Sequence, residues 1–255
     1  MANLFPSLFQ KLFGNSSIPP PTHINLAVTV SSTTLHKHGS GSESHLILEA
    51  TLPQSPNTPD KPLTILIFDT LLDPSGIALY KDGLDFIDVG TGAPANRTSL
   101  IFHYEFGGRS NIPVEPQSER YFATLYPGVP YRVTFTLKPC PRIQPHAEGT
   151  PERLENSCGE RVPTARDEDI VASVFSHVTY LDVGSMYRVE LGNKLNKIWW
   201  YRYGSKEEIL GGQGTEGGLV GKLMGTKRRR ELVEDSLMQP IPLVMQGSAR
   251  FTVVE

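Results

Sequence analysis

Apolar and polar residues alternate with period two through most of the chain. The runs INLAVTV at 24–30, HLILEATL at 45–52, LTILIF at 63–68, LIFHYEF at 100–106, RYFATL at 120–125 and YRVTFTL at 131–137 are of strand length and rich in β-branched and aromatic residues. The pattern returns in MYRVEL at 186–191, KIWWYRY at 197–203 and ARFTVVE at 249–255. Between the runs stand HGSGS, PQSPNTPDKP, DPSG, KDG, GTGAP and YPG, turn sequences in which proline presets φ and glycine, Asn or Asp tolerates positive φ. No long helical pattern separates consecutive strands, so parallel βαβ units are not expected. The expectation is an all-β fold: an antiparallel, immunoglobulin-like β-sandwich.

Three segments depart from this period. Leu4, Phe5, Leu8, Phe9, Leu12 and Phe13 recur at helical spacing and predict a short amphipathic helix ending at Gly14, docked on the protein's own sheet, with Pro19-Pro20-Pro21 as a stiff spacer. Residues 138–169 form a polar insertion. Residues 206–237 form a glycine-rich and then charged excursion with room for one short helix. The domain organisation expected is therefore 1–23 as helix and linker, and 24–255 as a single β domain carrying both insertions.

The dense punctuation, 21 Pro and 23 Gly, reinforces short strands and many turns. A net charge of -3 supplies no general field toward nucleic acid or an anionic membrane. No apolar run approaches the ~20 residues of a membrane span. The first residues lack a basic segment and an unbroken apolar stretch, so a cleaved signal peptide is not expected and a cytoplasmic location is. Cys140 and Cys158 are too few for a disulfide framework and read as free thiols.

The order of motifs carries a family resemblance. LTILIFDTLLDPSGIALYKDGLDFIDVGTG, the downstream Phe122-Ala123-Thr124-Leu125-Tyr126-Pro127-Gly128 with its following strand VPYRVTFTL, and the later GSMYRVEL together resemble the N-terminal pro-domain of fungal deuterolysin-type metalloproteases. The likeness spans about 24–137 and 170–203. It implies a stand-alone β-sandwich. The HExxH of the protease is missing, since none of the 7 histidines is followed by Glu with a second His four residues on, so protease activity is not implied.

Candidate chemistry is sparse. Asp69 and Asp73, four residues apart after an apolar strand, read as a strand-ending Asp-Pro turn rather than an acid/base pair. His36, His38 and His45 read as a solvated hairpin, and no metal site is expected. GGQGTEGGLVGKLMG misses the phosphate-loop pattern at Glu216 and Leu223, and the basic run Lys227-Arg228-Arg229-Arg230 is flanked by acids, so neither a nucleotide cofactor nor nucleic acid is expected. The aromatic strand is the strongest candidate. Alternation puts Trp199, Tyr201 and Tyr203 on one face and Trp200 with Arg202 on the other. Its four aromatics, with His103 and Tyr104 of LIFHYEF, are the expected ligand-binding residues, and the catalytic residues are unknown. The expected function is a non-enzymatic module binding a protein partner or an apolar small molecule. The alternative is a cofactor-independent cyclase, pericyclase or isomerase of fungal secondary metabolism, acting by positioning.

Overall fold

The computed structural model describes residues 19–38, 43–54, 60–96, 111–140, 176–211, 232–233 and 239–255. The expected N-terminal helix, the strand at 100–106 with His103 and Tyr104, Cys158, most of the polar insertion and the glycine-rich and basic run lie outside the described residues.

Twelve strands are described: β1 (Ile24–Val30), β2 (Thr34–His36), β3 (Ser44–Thr51), β4 (Leu63–Leu66), β5 (Leu84–Asp88), β6 (Phe122–Leu125), β7 (Tyr131–Leu137), β8 (Met186–Leu191), β9 (Lys197–Ile198), β10 (Tyr201–Tyr203), β11 (Ile241–Gln246) and β12 (Arg250–Val254). They make a five-stranded sheet in the order β7-β3-β1-β11-β9, a three-stranded sheet β10-β4-β6 and a four-stranded sheet β2-β12-β8-β5. With one α-helix, α1 (Lys206–Gly211), and two 3₁₀ turns at Ile77–Leu79 and Pro116–Tyr121, the described residues are predominantly β, consistent with an all-β fold.

Most ladders are antiparallel, as expected, but two are not. β1 runs parallel to β11, with Ile24 opposite Leu243, and β2 runs parallel to β12, with Leu35 opposite Val253. In both pairs an early strand takes a partner from the end of the chain. Parallel neighbours need a long crossover, and here nearly the whole chain serves as one.

The alternation places the core. β3 buries Ser44, Leu46, Leu48 and Ala50 and turns His45, Ile47, Glu49 and Thr51 outward. β1 buries Ile24, Leu26 and Val28, and β7 buries Val133, Phe135 and Leu137. These side chains join Leu63, Ile65, Leu84, Phe86, Leu125, Tyr187, Val189, Ile198, Phe251 and Val253, so one contiguous core is lined by strands of all three sheets. Burial of this apolar surface is the main force holding the sheets together.

The segment after β4 turns, as its sequence implies. Asp69 takes the left-handed conformation at φ 55°. The Asp73 carboxylate accepts from the backbone N–H of Asp69 at 3.1 Å and of Ser75 at 3.0 Å, while Lys81 Nζ donates to Asp69 Oδ1 at 2.9 Å. Both carboxylates are thus engaged in fixing the turn. At the neighbouring bend, a Cβ on Gly192 would lie 2.0 Å from the Asp82 carbonyl oxygen, so glycine is required for the two backbones to approach.

Candidate binding site at the aromatic strand

KIWWYRY does not form one strand. Lys197 and Ile198 pair with Pro242 and Ile241 in the five-stranded sheet, whereas Tyr201, Arg202 and Tyr203 pair with Ile65, Thr64 and Leu63 in the three-stranded sheet. Trp199 and Trp200 span the crossing. The Trp200 carbonyl already accepts from Leu66 N–H at 3.0 Å, so the second ladder begins there.

The register sorts the side chains from Trp200 onward. On one face, Tyr201 aligns with Ile65 and Ala123, and Tyr203 with Leu63 and Leu125, so both tyrosines lie half-buried against the main core. On the other, Trp200 and Leu66 lie beside Phe122, followed by a row of Arg202, Thr64 and Thr124. This second face carries its own small core of Leu66, Ile112, Val114, Phe122, Trp200, Leu210 and Val233, flanked by Phe68, Tyr121 and Ile209. Trp200 is 2% exposed and meets Phe122 edge to face, with centroids 5.1 Å apart. Such pairs add about 0.5–1.5 kcal/mol to plain burial.

Local sequence explains the cover. Ser205 and Glu208 form a capping box on α1: Glu208 Oε2 accepts from Ser205 N–H at 2.8 Å and Ser205 Oγ from Glu208 N–H at 3.3 Å. Thr124 Oγ1 accepts from Lys206 N–H at 2.9 Å, which fixes the helix start on β6, and Lys206 Nζ lies 2.7 Å from Glu119. Leu210 thereby reaches the Trp200 cluster. Beneath the helix, Thr64 Oγ1 donates to the Gly204 carbonyl at 2.8 Å and meets Thr124 Oγ1 at 3.2 Å, satisfying a fully buried hydroxyl. Val233 returns on the far side of the 212–231 run, its N–H donating to the Ile112 carbonyl at 2.9 Å.

Guanidinium groups border this core. Arg202 Cζ lies 5.4 Å from the Trp200 ring centroid and Arg120 Cζ 4.7 Å from that of Tyr121, within cation–π range, and Arg120 also donates to Tyr121 Oη. Tyr121 meets Phe68 edge to face at 5.2 Å. Burial pushes the Tyr201 and Tyr203 phenols above their ordinary value, Tyr203 further because Tyr201 is near, so both hydroxyls stay hydrogen-bond donors at neutral pH. Tyr203 Oη donates to the Pro19 carbonyl at 3.0 Å.

Of the expected ligand-binding residues, the structure thus places Trp200 in the small core, Tyr201 and Tyr203 on the opposite face of the sheet, and Trp199 half-buried at the crossing. They line no single surface. His103 and Tyr104 lie outside the described residues. His36, His38 and His45 engage separate partners, the Glu255 carbonyl, the Cys140 carbonyl and Thr136 Oγ1. Among the described residues, no group of three His, Cys, Asp or Glu side chains could hold a metal ion. No described helix is long and apolar enough to cross a membrane.

Phe68, Arg120 and Tyr121 were not singled out from sequence. The signal was LTILIF, grouped above with the alternating runs although only Thr64 interrupts its apolar residues: such a run needs cover on both faces, and these residues border the cover on the second. No protein-family model matches the chain, nor does any curated protein or solved structure.

Proposed function

We propose that the protein is a non-enzymatic binding module, taking a protein partner or an apolar small ligand at the rim of the Trp200 core. The observation that carries this reading is the rim itself: Arg120 and Arg202 stacked on Tyr121 and Trp200, beside Phe68, on a sheet face held by α1. Arg, Tyr and Trp dominate binding hot spots because they combine large apolar area with directed hydrogen bonds. Their mutual stacking lowers the conformational entropy lost on binding. The finer architecture proposed is an immunoglobulin-like sandwich related to the deuterolysin pro-domain, acting in the cytoplasm.

A second reading, a cofactor-independent cyclase, pericyclase or isomerase, draws on Tyr201 and Tyr203, whose half-buried neutral hydroxyls suit the orientation of an apolar substrate. The test is tagged recovery from cells of the parent chain and of the Arg120→Ala/Tyr121→Ala variant, with untargeted metabolite comparison between cells with and without the chain. The binding reading expects a specific protein or small molecule to accompany the parent chain and to fall about tenfold or more in the variant, as two hot-spot truncations imply. A variant that retains the companion, or a precursor that accumulates without the chain, overturns it.

A further inference from the structure

We propose that His177 is an acid-sensitive latch on the seam joining the end of β7 to residues 176–181. Just after β7, Lys138 is held at both backbone groups. Its N–H donates to His177 Nδ1 at 2.9 Å, and its carbonyl accepts from His177 N–H at 3.1 Å and from Ser176 Oγ at 3.1 Å. Ser176 Oγ in turn accepts from Val178 N–H at 3.2 Å. His177 is 4% exposed, and Val178 and Leu181 beyond it are in the main core. The seam therefore ends in one imidazole that serves as an acceptor.

That role exists in only one protonation state. A neutral imidazole has one donor and one acceptor nitrogen, and because Nδ1 receives the Lys138 N–H, the proton must sit on Nε2. Protonation makes both nitrogens donors, so the Lys138 N–H then faces an N–H across 2.9 Å and the bond is lost.

Among the described residues, the titratable groups beside this seam act differently. Tyr80 presents its ring at a centroid distance of 4.7 Å, and burial raises its phenol above the ordinary value, so it stays neutral through the histidine range. After β2, Lys37 Nζ donates to the Leu181 carbonyl at 2.6 Å, and His38 Nδ1 lies 3.3 Å from the Cys140 carbonyl, which can only accept. A protonated His38 keeps its bond. Lys138 and Cys140 border the seam from the β7 side, where Cys140 N–H donates to the Lys37 carbonyl at 2.7 Å. Acid thus removes the His177 bond and leaves the Lys37 and His38 contacts in place, so among the described residues the response centres on Lys138, Ser176 and His177.

Amide hydrogen exchange resolved by residue in the full chain tests this. Between about pH 7.5 and about pH 5, Lys138 N–H protection corrected for intrinsic rate should fall about tenfold or more while that of Leu48 in β3 holds. His177→Asn places a carbonyl oxygen near the Nδ1 position and cannot titrate, so its Lys138 protection should be independent of pH. Nitrogen chemical shifts of the parent chain should show His177 as the Nε2–H tautomer at neutral pH, a readout that does not depend on a variant folding. Unchanged Lys138 protection in acid, loss together with Leu48, an acid response retained in His177→Asn, or an Nδ1–H tautomer would each overturn the latch.

Discussion

In the five-stranded sheet, β3 sends Leu46, Leu48 and Ala50 into the core and His45, Ile47 and Glu49 outward, whereas in the three-stranded sheet all four residues of β4, from Leu63 to Leu66, are buried. The first sheet has one dry face and the second has two. A sheet with one dry face needs a single core and can be written as strict alternation. A sheet dry on both sides must recruit cover from elsewhere, here Ile112, Val114, Leu210 and Val233, which lie far apart in sequence. The candidate binding rim forms at the edge of that recruited cover.

The largest test of the contrast is truncation on the second dry face. Trp200→Ala removes the central side chain of the small core and should cost about 3–5 kcal/mol by chemical denaturation, the usual range for a buried aromatic. Its counterpart is Val244→Ala on β11, where the side chain is 39% exposed on the outer face of the five-stranded sheet. That change should stay within about 0.5 kcal/mol. Equal costs would mean that the small core is not a second core at all.

The comparison also marks what could be read in the sequence. Where one face is dry, in β1, β3, β7 and β12, period two located the strand and its buried positions, because each residue's exposure depends on its own parity alone. The turn after β4 was legible too, since Asp73 acts through backbone groups within four residues of itself. Strand direction was not: the pairing of Ile24 with Leu243 depends on where the chain's end arrives. Nor was the break in KIWWYRY, because alternation continues from Trp200 to Tyr203 while the hydrogen-bond partners change from Ile241 to Ile65. That Trp200 and Tyr201 face opposite sides follows from alternation, but that each side carries its own core does not, because the cover on the Trp200 side comes from Ile112, Val114, Leu210 and Val233, distant in sequence.

A smaller effect comes from two threonines. Thr64 on β4 is fully buried and donates to the Gly204 carbonyl at 2.8 Å, while Thr134 on β7 is exposed on the outer face of the other sheet. Valine has nearly the same shape without the hydroxyl. Thr64→Val leaves the half-buried Gly204 carbonyl without that donor and should cost about 0.5–1.5 kcal/mol, whereas Thr134→Val should stay within about 0.5 kcal/mol and can gain from strand propensity. Denaturation midpoints at constant slope decide it. If the two changes cost the same, the polar row beneath α1 does not hold the second face.

The smallest expected effect distinguishes the two sides of β10 through pH. Tyr201 faces the main core, and burial raises its phenol above the ordinary value of about 10. Burial acts in the same direction on Tyr80, Tyr203 and Tyr131, the last helped by the Asp73 carboxylate. A phenol whose folded value is raised holds its proton more tightly in the folded chain than in the unfolded one. Its contribution to stability is therefore complete below the unfolded value and is lost as pH rises from about 10 through the folded value. Alkaline titration of the denaturation midpoint should show a decline beginning near pH 10 that becomes shallower in Tyr201→Phe, which keeps the ring and removes the ionisable hydroxyl. Trp200→Phe, on the opposite face and without an ionisable group in either form, should lower the midpoint at every pH and leave the alkaline slope unchanged. If Tyr201→Phe leaves the decline as steep as in the parent chain, the hydroxyl is not desolvated by the main core, and the assignment of Tyr201 and Trp200 to opposite faces loses its energetic support.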